Sequence, residues 1–150
     1  METIHAADEV RLSWDTGAER IKDGAVLVGR DGVGGIGTLA ELRAKFPRAR
    51  VRRWPGVLGP ARVHEGPLPQ APSARERIHE VLKTGAVVVL AEHVGTAELR
   101  AAAERNDVVV LARTRVPAIV PSGRADLAVF DADGACVATV CAGRLVHRRR

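Results

Sequence analysis

Two uninterrupted apolar runs, AVVVLA at 86–91 and VVVLA at 108–112, constrain this chain more than any other feature. Each has strand length, and neither alternates polar with apolar residues. Such runs suit parallel strands buried on both faces. Between them, Thr96 is placed to cap a helix over roughly 97–105. Strand, helix and strand at this spacing predict a βαβ unit with a right-handed crossover. Another helix precedes the first run. Ser73 and Glu76 have capping-box spacing, Ala74, Ile78, Val81 and Leu82 share a helical face, and Gly85 is a stop signal.

Outside this middle section the patterning is β. Val10, Leu12 and Trp14 alternate with Arg11 and Ser13, which predicts a short strand. Ala25 to Val28 is a second strand, Arg30-Asp31-Gly32 a hairpin turn, and Val33 to Ile36 the return. Thr38 and Glu41 have capping-box spacing before a short helix, Leu39 to Phe46, which Pro47 ends. Ala49 to Arg53 is extended. Five prolines between 55 and 72 predict a stiff connector without regular structure. Later strands are expected at Asp126–Asp131, Cys136–Cys141 and Arg144–His147, with turns at Asp133-Gly134 and Ala142-Gly143. The order is β, then α/β, then β.

At 150 residues this is one domain's worth of chain, 46% hydrophobic and 27% charged, within the globular range. No apolar run approaches the roughly 20 residues of a membrane helix. The opening METIHAADEV carries three acids and no apolar core, so no secretory signal is expected. Two cysteines make no disulfide framework. The expectation is a soluble, cytoplasmic protein without a membrane partner.

The net charge of +5 is local. Residues 43–53 hold six bases and residues 144–150 four, while the other 132 residues carry 13 bases against 18 acids. Arg50, Arg52, Arg53, Arg144 and Arg148 are the candidate anion-binding residues. Guanidinium forks suit carboxylates and phosphates, so a small anionic ligand or an acidic protein is the expected partner class. Only Trp54 lies beside the arginines, which serves base stacking poorly and argues against nucleic acid. The plainer reading is solvated strand ends and a tail.

Glu92-His93 is the candidate catalytic pair. It follows the 86–91 run at its carboxyl end, where α/β folds place their sites, just before a helix start that offers free N–H groups. A carboxylate and an imidazole can do acid–base work, although neighbours on an extended chain point apart. His79 reads as a helix-surface residue. His5 and His147 fall in terminal strands that a common sheet can bring together. Cys136 and Cys141 face opposite sides of an unbroken strand, which argues against a shared metal site. Gly32-Val33-Gly34-x-x-Gly37 lacks the following long helix of a dinucleotide fingerprint and fits a hairpin instead.

IKDGAVLVGRDGVGGIGTLAEL, with ARVRRWPGVLGP after it, resembles the opening of an amidohydrolase of the imidazolonepropionase and cytosine-deaminase-like kind. PSGRADLAVFDADGACVATVCAGRLVHRR resembles the close of the same family. The resemblance covers residues 4–60 and 119–148, and its most specific part is Gly123-Arg124-Ala125-Asp126 followed by the Val-x-Ala-Gly-Arg-Leu-Val hairpin. It implies an α+β fold in one domain, 1–150. A small β-sandwich is formed by both chain ends (1–60 and 119–150), and a short βαβ insertion (61–118) stands in place of a TIM barrel.

The resemblance also implies a His-x-His metal motif soon after a Pro-Gly pair. Here the pair is Pro55-Gly56, and the two histidine positions fall on Ala61 and Val63. His64 is one residue out of phase, which on a strand turns it to the other face. Histidines at i and i+2 work because both imidazoles reach one ion. A TIM barrel takes about 250 residues, whereas His64–Ala118 is 55 residues long. The expectation is therefore a degenerate amidohydrolase-like protein, with no metal or other cofactor, acting as a binding or partner-protein module rather than an enzyme. One alternative is a hydrolase acting on a non-peptide carbon–nitrogen bond of an imidazole- or purine-like substrate, with a site rebuilt on Glu92 and His93. Another is anion or nucleic-acid binding through the basic clusters. The open edges of the two apolar strands predict a homo-oligomer, most simply a homodimer.

Overall fold

The computed structural model describes residues 1–150. In chain order the elements are β1 (Thr3–Arg11), β2 (Arg20–Lys22), β3 (Gly24–Gly29), β4 (Gly32–Thr38), α1 (Leu39–Lys45), β5 (Arg50–Pro60), β6 (Arg62–His64), α2 (Ala74–Lys83), β7 (Ala86–Leu90), α3 (Ala97–Arg105), β8 (Val109–Leu111), β9 (Leu127–Phe130), β10 (Cys136–Cys141) and β11 (Arg144–Arg148). Both chain ends enter one eight-stranded sheet in the order β11-β10-β9-β5-β1-β3-β4, with β2 added to β1. A separate parallel sheet has the order β6-β7-β8. The fold is α+β, the chain ends share one sheet, and there is no closed barrel.

The eight-stranded sheet encloses a core on one face. Val10, Val26, Leu58, Leu127, Val129 and Val140 meet there, because alternate residues of each strand point the same way. On the outer face, α1 covers Ile4, Ala6, Ala25 and Leu27 through Leu42. Thr38 and Glu41 cap α1 reciprocally, each side chain bonded to the other residue's backbone N–H. At α2 the Ser73 hydroxyl accepts the Glu76 N–H and donates to the Glu76 carboxylate.

β5 runs through the expected connector. Ala7 pairs with Trp54 and Glu9 with Val57, which leaves Asp8 opposite Pro55-Gly56 in a bulge. Proline is tolerated there because the ladder asks for no N–H at a bulge or strand end. Gly56 takes φ +98, and its N–H donates to Asp8 Oδ2 at 2.8 Å. β5 then pairs with β9 over Val57–Pro60, so the two leaves of the expected sandwich are one hydrogen-bonded sheet. Only residues 65–72 keep the irregular character expected of the whole 55–72 segment. The first strand also differs: β1 begins at Thr3 and ends before Trp14. That indole packs edge-on against Phe130 and donates to the Pro60 carbonyl at 2.7 Å.

The two regions of family-like sequence meet directly. Val33 N–H donates to Gly123 O, and Ser122 N–H to Val33 O, both at 2.9 Å. Gly32 sits against the Gly123 carbonyl at φ +106, where a Cβ would fall 2.2 Å from that oxygen.

In the smaller sheet, β7 is wholly buried and lies against α2 and α3. β8 departs from expectation: all three of its residues are half-exposed, because nothing pairs with its outer edge. Arg62 N–H bonds Gly85 O at 2.8 Å, Ala61 N–H bonds Asp126 O at 3.0 Å, and the buried Thr139 hydroxyl donates to Leu82 O at 2.7 Å. The first of these bonds extends the β6–β7 ladder, and the other two fasten the α/β section to the large sheet. The Arg62 guanidinium lies over Phe130 at 3.9 Å and Trp14 at 5.0 Å, and burial lowers its pKa.

Candidate functional site

Ala61 and Val63 line one cavity of about 280 Å³, together with Val87, Val88, Pro117 and Val120. His64 turns away, as strand phase requires, and its Nε2 lies 2.9 Å from the Pro67 carbonyl. A carbonyl only accepts, so that nitrogen carries the proton. The residues here do not fit a catalytic transition metal, which takes three protein ligands. Alanine and valine supply no ligating atom, and no three His, Cys, Asp or Glu side chains converge anywhere in the molecule.

Glu92 and His93 fall in a single 3-10 turn, Ala91–His93, at the carboxyl end of β7. The turn corrects the expectation that neighbours point apart. His93 Nε2 lies 3.6 Å from Glu92 Oε1, with the histidine half-buried and the carboxylate 73% exposed. The following helix is capped by Thr96, whose hydroxyl accepts the Leu99 N–H at 3.1 Å.

The basic residues divide. Arg148 Cζ lies 6.0 Å from the Trp54 ring, which brings the end of β11 to the Arg50, Arg52 and Arg53 stretch of β5. Arg144 sits at the other end of β11, about 13 Å away along an extended strand, and pairs with Asp107 at 3.0 Å. Arg149 pairs with Asp131 at 2.6 Å, and that bond holds the carboxyl below its usual range. Of the candidate anion ligands, Arg50, Arg52 and Arg148 share the Trp54 face, Arg53 alternates to the α1 side of the sheet, and Arg144 lies apart.

Beneath this region lies a group that sequence reading missed. His5 is buried opposite Arg52 in the β1–β5 ladder. Trp54 Nε1–H donates to His5 Nδ1 at 3.2 Å, with the rings nearly parallel. An indole only donates, so Nδ1 is unprotonated. Burial first, and then the Arg52 charge, push the His5 pKa down to about 4. The available signal was its position inside the apolar stretch Ile4–Ala7. His147 is not its neighbour: it is half-buried, with Lys83 and His79 nearby, and burial lowers its pKa. His79 is exposed on α2.

The charged residues of the closing motif are spent on structure. Arg124 donates to Asp126 Oδ1 at 2.8 Å, to Cys141 Sγ at 3.1 Å and to the Asp107 carbonyl. Asp126 Oδ1 also accepts the Ala142 N–H at 2.8 Å, which pins the final hairpin turn. A register shift between Cys136 and Ala138 breaks the strand phase assumed for the cysteines. Both pack toward the α2–β7 core as free thiols, and burial raises the Cys141 pKa to about 11.

No family model and no curated protein matches the sequence. Its fold does match solved structures. Guanine deaminase from E. coli superposes with a TM-score of 0.57 at 17% identity, over 73% of this chain and 35% of its own. An adenosine deaminase from Xanthomonas campestris, solved with bound zinc, gives 0.57 at 18% identity, over 73% and 33%. Guanine deaminase from Bradyrhizobium japonicum gives 0.56 at 13%, over 73% and 34%. The chain thus spans about a third of the length of these structures. The chain shares the fold of part of these deaminase structures, and the expectation drawn from the family-like sequence at 4–60 and 119–148 holds at the level of fold.

Proposed function

We propose that this chain is an imidazolonepropionase-like member of that fold group that works as a binding or partner-protein module, without metal-dependent hydrolysis. One observation carries the reading: Ala61 and Val63 stand side by side on the cavity wall where paired histidines would be needed. Metal analysis of the purified protein tests it. The expected zinc or iron content is below about a tenth of an equivalent, since no three-ligand set is available. One tightly held equivalent, lost on His64→Ala, overturns it.

A second reading rests on the His93–Glu92 pair at the carboxyl end of β7. It makes the chain a hydrolase of a non-peptide carbon–nitrogen bond in an imidazole- or purine-like substrate. Ring opening or ammonia release by the wild type, abolished in His93→Gln, supports that reading against the first. We further propose a cytoplasmic homodimer, because β6 and β8 each leave a strand edge unpaired. Light scattering at about 10 µM, in the range of ordinary micromolar association, is expected to give twice the chain mass. A monomer at that concentration removes the dimer.

A further inference from the structure

Between α1 and the large sheet lies a cavity of about 380 Å³. Ala6 of β1 and Leu39 and Ala40 of α1 give it an apolar lining, and Ala7 and Trp54, whose side chains turn to the other face of the sheet, border it along β1 and β5. Four charged residues from separate places in the chain complete it: Asp8 on β1, Asp23 in the turn before β3, Arg43 on α1 and Arg53 on β5.

Opposite charges around one small cavity ordinarily close on each other. Here they do not: none of the ion pairs within 4.0 Å involves any of the four. Asp8 commits one carboxylate oxygen to the Gly56 N–H and keeps the other. The two acids are fixed beside each other by backbone, since Asp23 N–H donates to Asp8 O at 2.8 Å. Asp23 O in turn accepts the Leu39 N–H at 2.8 Å, which ties this corner to the start of α1. Two acids and two bases thus share one cavity with no net charge and no internal pairing.

We infer that this cavity binds a small zwitterion with an apolar side chain, an α-amino acid in its simplest form. The carboxylate faces Arg43 and Arg53, whose planar forks suit it. The ammonium faces Asp23 and the free oxygen of Asp8, and the side chain lies on the alanine and leucine lining. The volume falls within the range of small-molecule pockets. A neutral zwitterion matches the neutral rim, whereas a simple anion or cation leaves two like charges unanswered. The site is separate from the Ala61–Val63 cavity and stands whether or not hydrolysis is lost.

The test is a titration of the full-length, ¹⁵N-labelled protein followed by amide resonances. The probes are L-leucine, L-valine, 4-methylpentanoate (carboxylate only) and isopentylamine (amine only). Saturable shifts at the amides of Ala6, Ala7, Ala40 and Trp54 are expected with at least one amino acid. Each singly charged analogue is expected to bind at least about tenfold more weakly, as loss of one charge-assisted contact implies. Arg53→Gln or Arg43→Gln, and separately Asp23→Asn, are each expected to weaken amino-acid binding about tenfold. Asp23→Asn is expected not to weaken the binding of 4-methylpentanoate, since the substitution removes a charge of the same sign as the probe. Asn tolerates the left-handed backbone at this position, and each variant's spectrum reports whether it is folded. If neither amino acid produces a saturable shift, or if 4-methylpentanoate binds as tightly as leucine, the zwitterion site is overturned.

Discussion

β5 is hydrogen-bonded along both edges, to β1 from Arg50 to Leu58 and to β9 from Val57 to Pro60. β8 pairs with β7 alone, over three residues, and presents its other edge to solvent. The difference runs through the two regions. In the large sheet, β11, β10 and β9 from the last 30 residues form one block and β5, β1, β3 and β4 from the first 60 form the other, and the β5–β9 ladder joins the two chain ends. In the smaller sheet the strands follow chain order, each joined to the next by a helix, and the run ends in an open edge. The large sheet is the scaffold, and the α/β section is attached to it by bonds at Ala61 and Thr139 and by a shared core in which Ala128, Phe130 and Cys141 pack with α2 and β7.

The strongest way to break this comparison is at the bulge that lets β5 serve both neighbours. In Gly56→Ala the new Cβ would fall 2.2 Å from the Phe130 carbonyl oxygen, at a φ of +98 that alanine resists. The obstacle is backbone on β9 rather than a side chain that can swing aside. A loss of about 3–5 kcal/mol is expected by urea unfolding, from clash and strained backbone together. A loss below about 1 kcal/mol, the ordinary scale of a point mutation, would mean that the continuous β1–β5–β9 ladder is not what holds the chain ends together.

The buried histidine sharpens the same half of the comparison. His5 has a folded pKa of about 4 against 6.5 in its unperturbed state. Between these values the unfolded chain binds a proton that the folded one refuses. Stability is full above the unfolded value and falls as pH drops from about 6.5 to about 4, by up to about 3 kcal/mol for this one group. Protonation at Nδ1 also breaks the Trp54 bond. His5→Gln keeps an acceptor for the indole but does not titrate, so its stability curve is expected to be flatter over this window. Parallel curves for wild type and variant would place the acid sensitivity elsewhere.

Hydrogen exchange tests the attached half. β8 is short, half-exposed and paired on one side, and such segments open at lower cost than a doubly paired strand. Its amides are expected to exchange at least about 30-fold faster than those of β1 and β5, a gap of about 2 kcal/mol. Equal protection would mean that the molecule opens as one unit.

How legible this architecture was depends on how local each signal is. The α2–β7–α3–β8 order could be read because caps at Ser73 and Thr96 and uninterrupted valine runs are properties of single segments. The passage of β5 through Pro55-Gly56 was hidden, because it depends on Asp8, 48 residues away. The His5–Trp54 bond spans 49 residues and leaves no periodic trace. The phase of Cys136 failed at a register shift that alternation cannot reveal. For the candidate sites, strand phase correctly separated Val63 from His64. The proximity of Glu92 and His93 was missed because one 3-10 turn replaced the assumed extended backbone. Arg144 was read with the other candidate anion-binding residues, but Arg144 and Arg149 found partners in Asp107 and Asp131 on loops whose position only the fold determines.

The smallest expected effect is the most diagnostic for the α/β section. Glu92 is 73% exposed and its oxygen stands 3.6 Å from His93 Nε2, beyond hydrogen-bond range. An exposed pair of this kind contributes little, so Glu92→Gln is expected to change unfolding stability by less than about 0.5 kcal/mol. The turn that holds the pair is secured by the burial of Val94 and by the Thr96 cap, neither of which the substitution touches. If stability nevertheless falls by more than about 1 kcal/mol, outside the range of surface ion pairs, the pair must brace the junction between β7 and α3. The α/β section would then be tightened around Glu92 and His93, which is what a rebuilt reaction site requires and what a binding module does not.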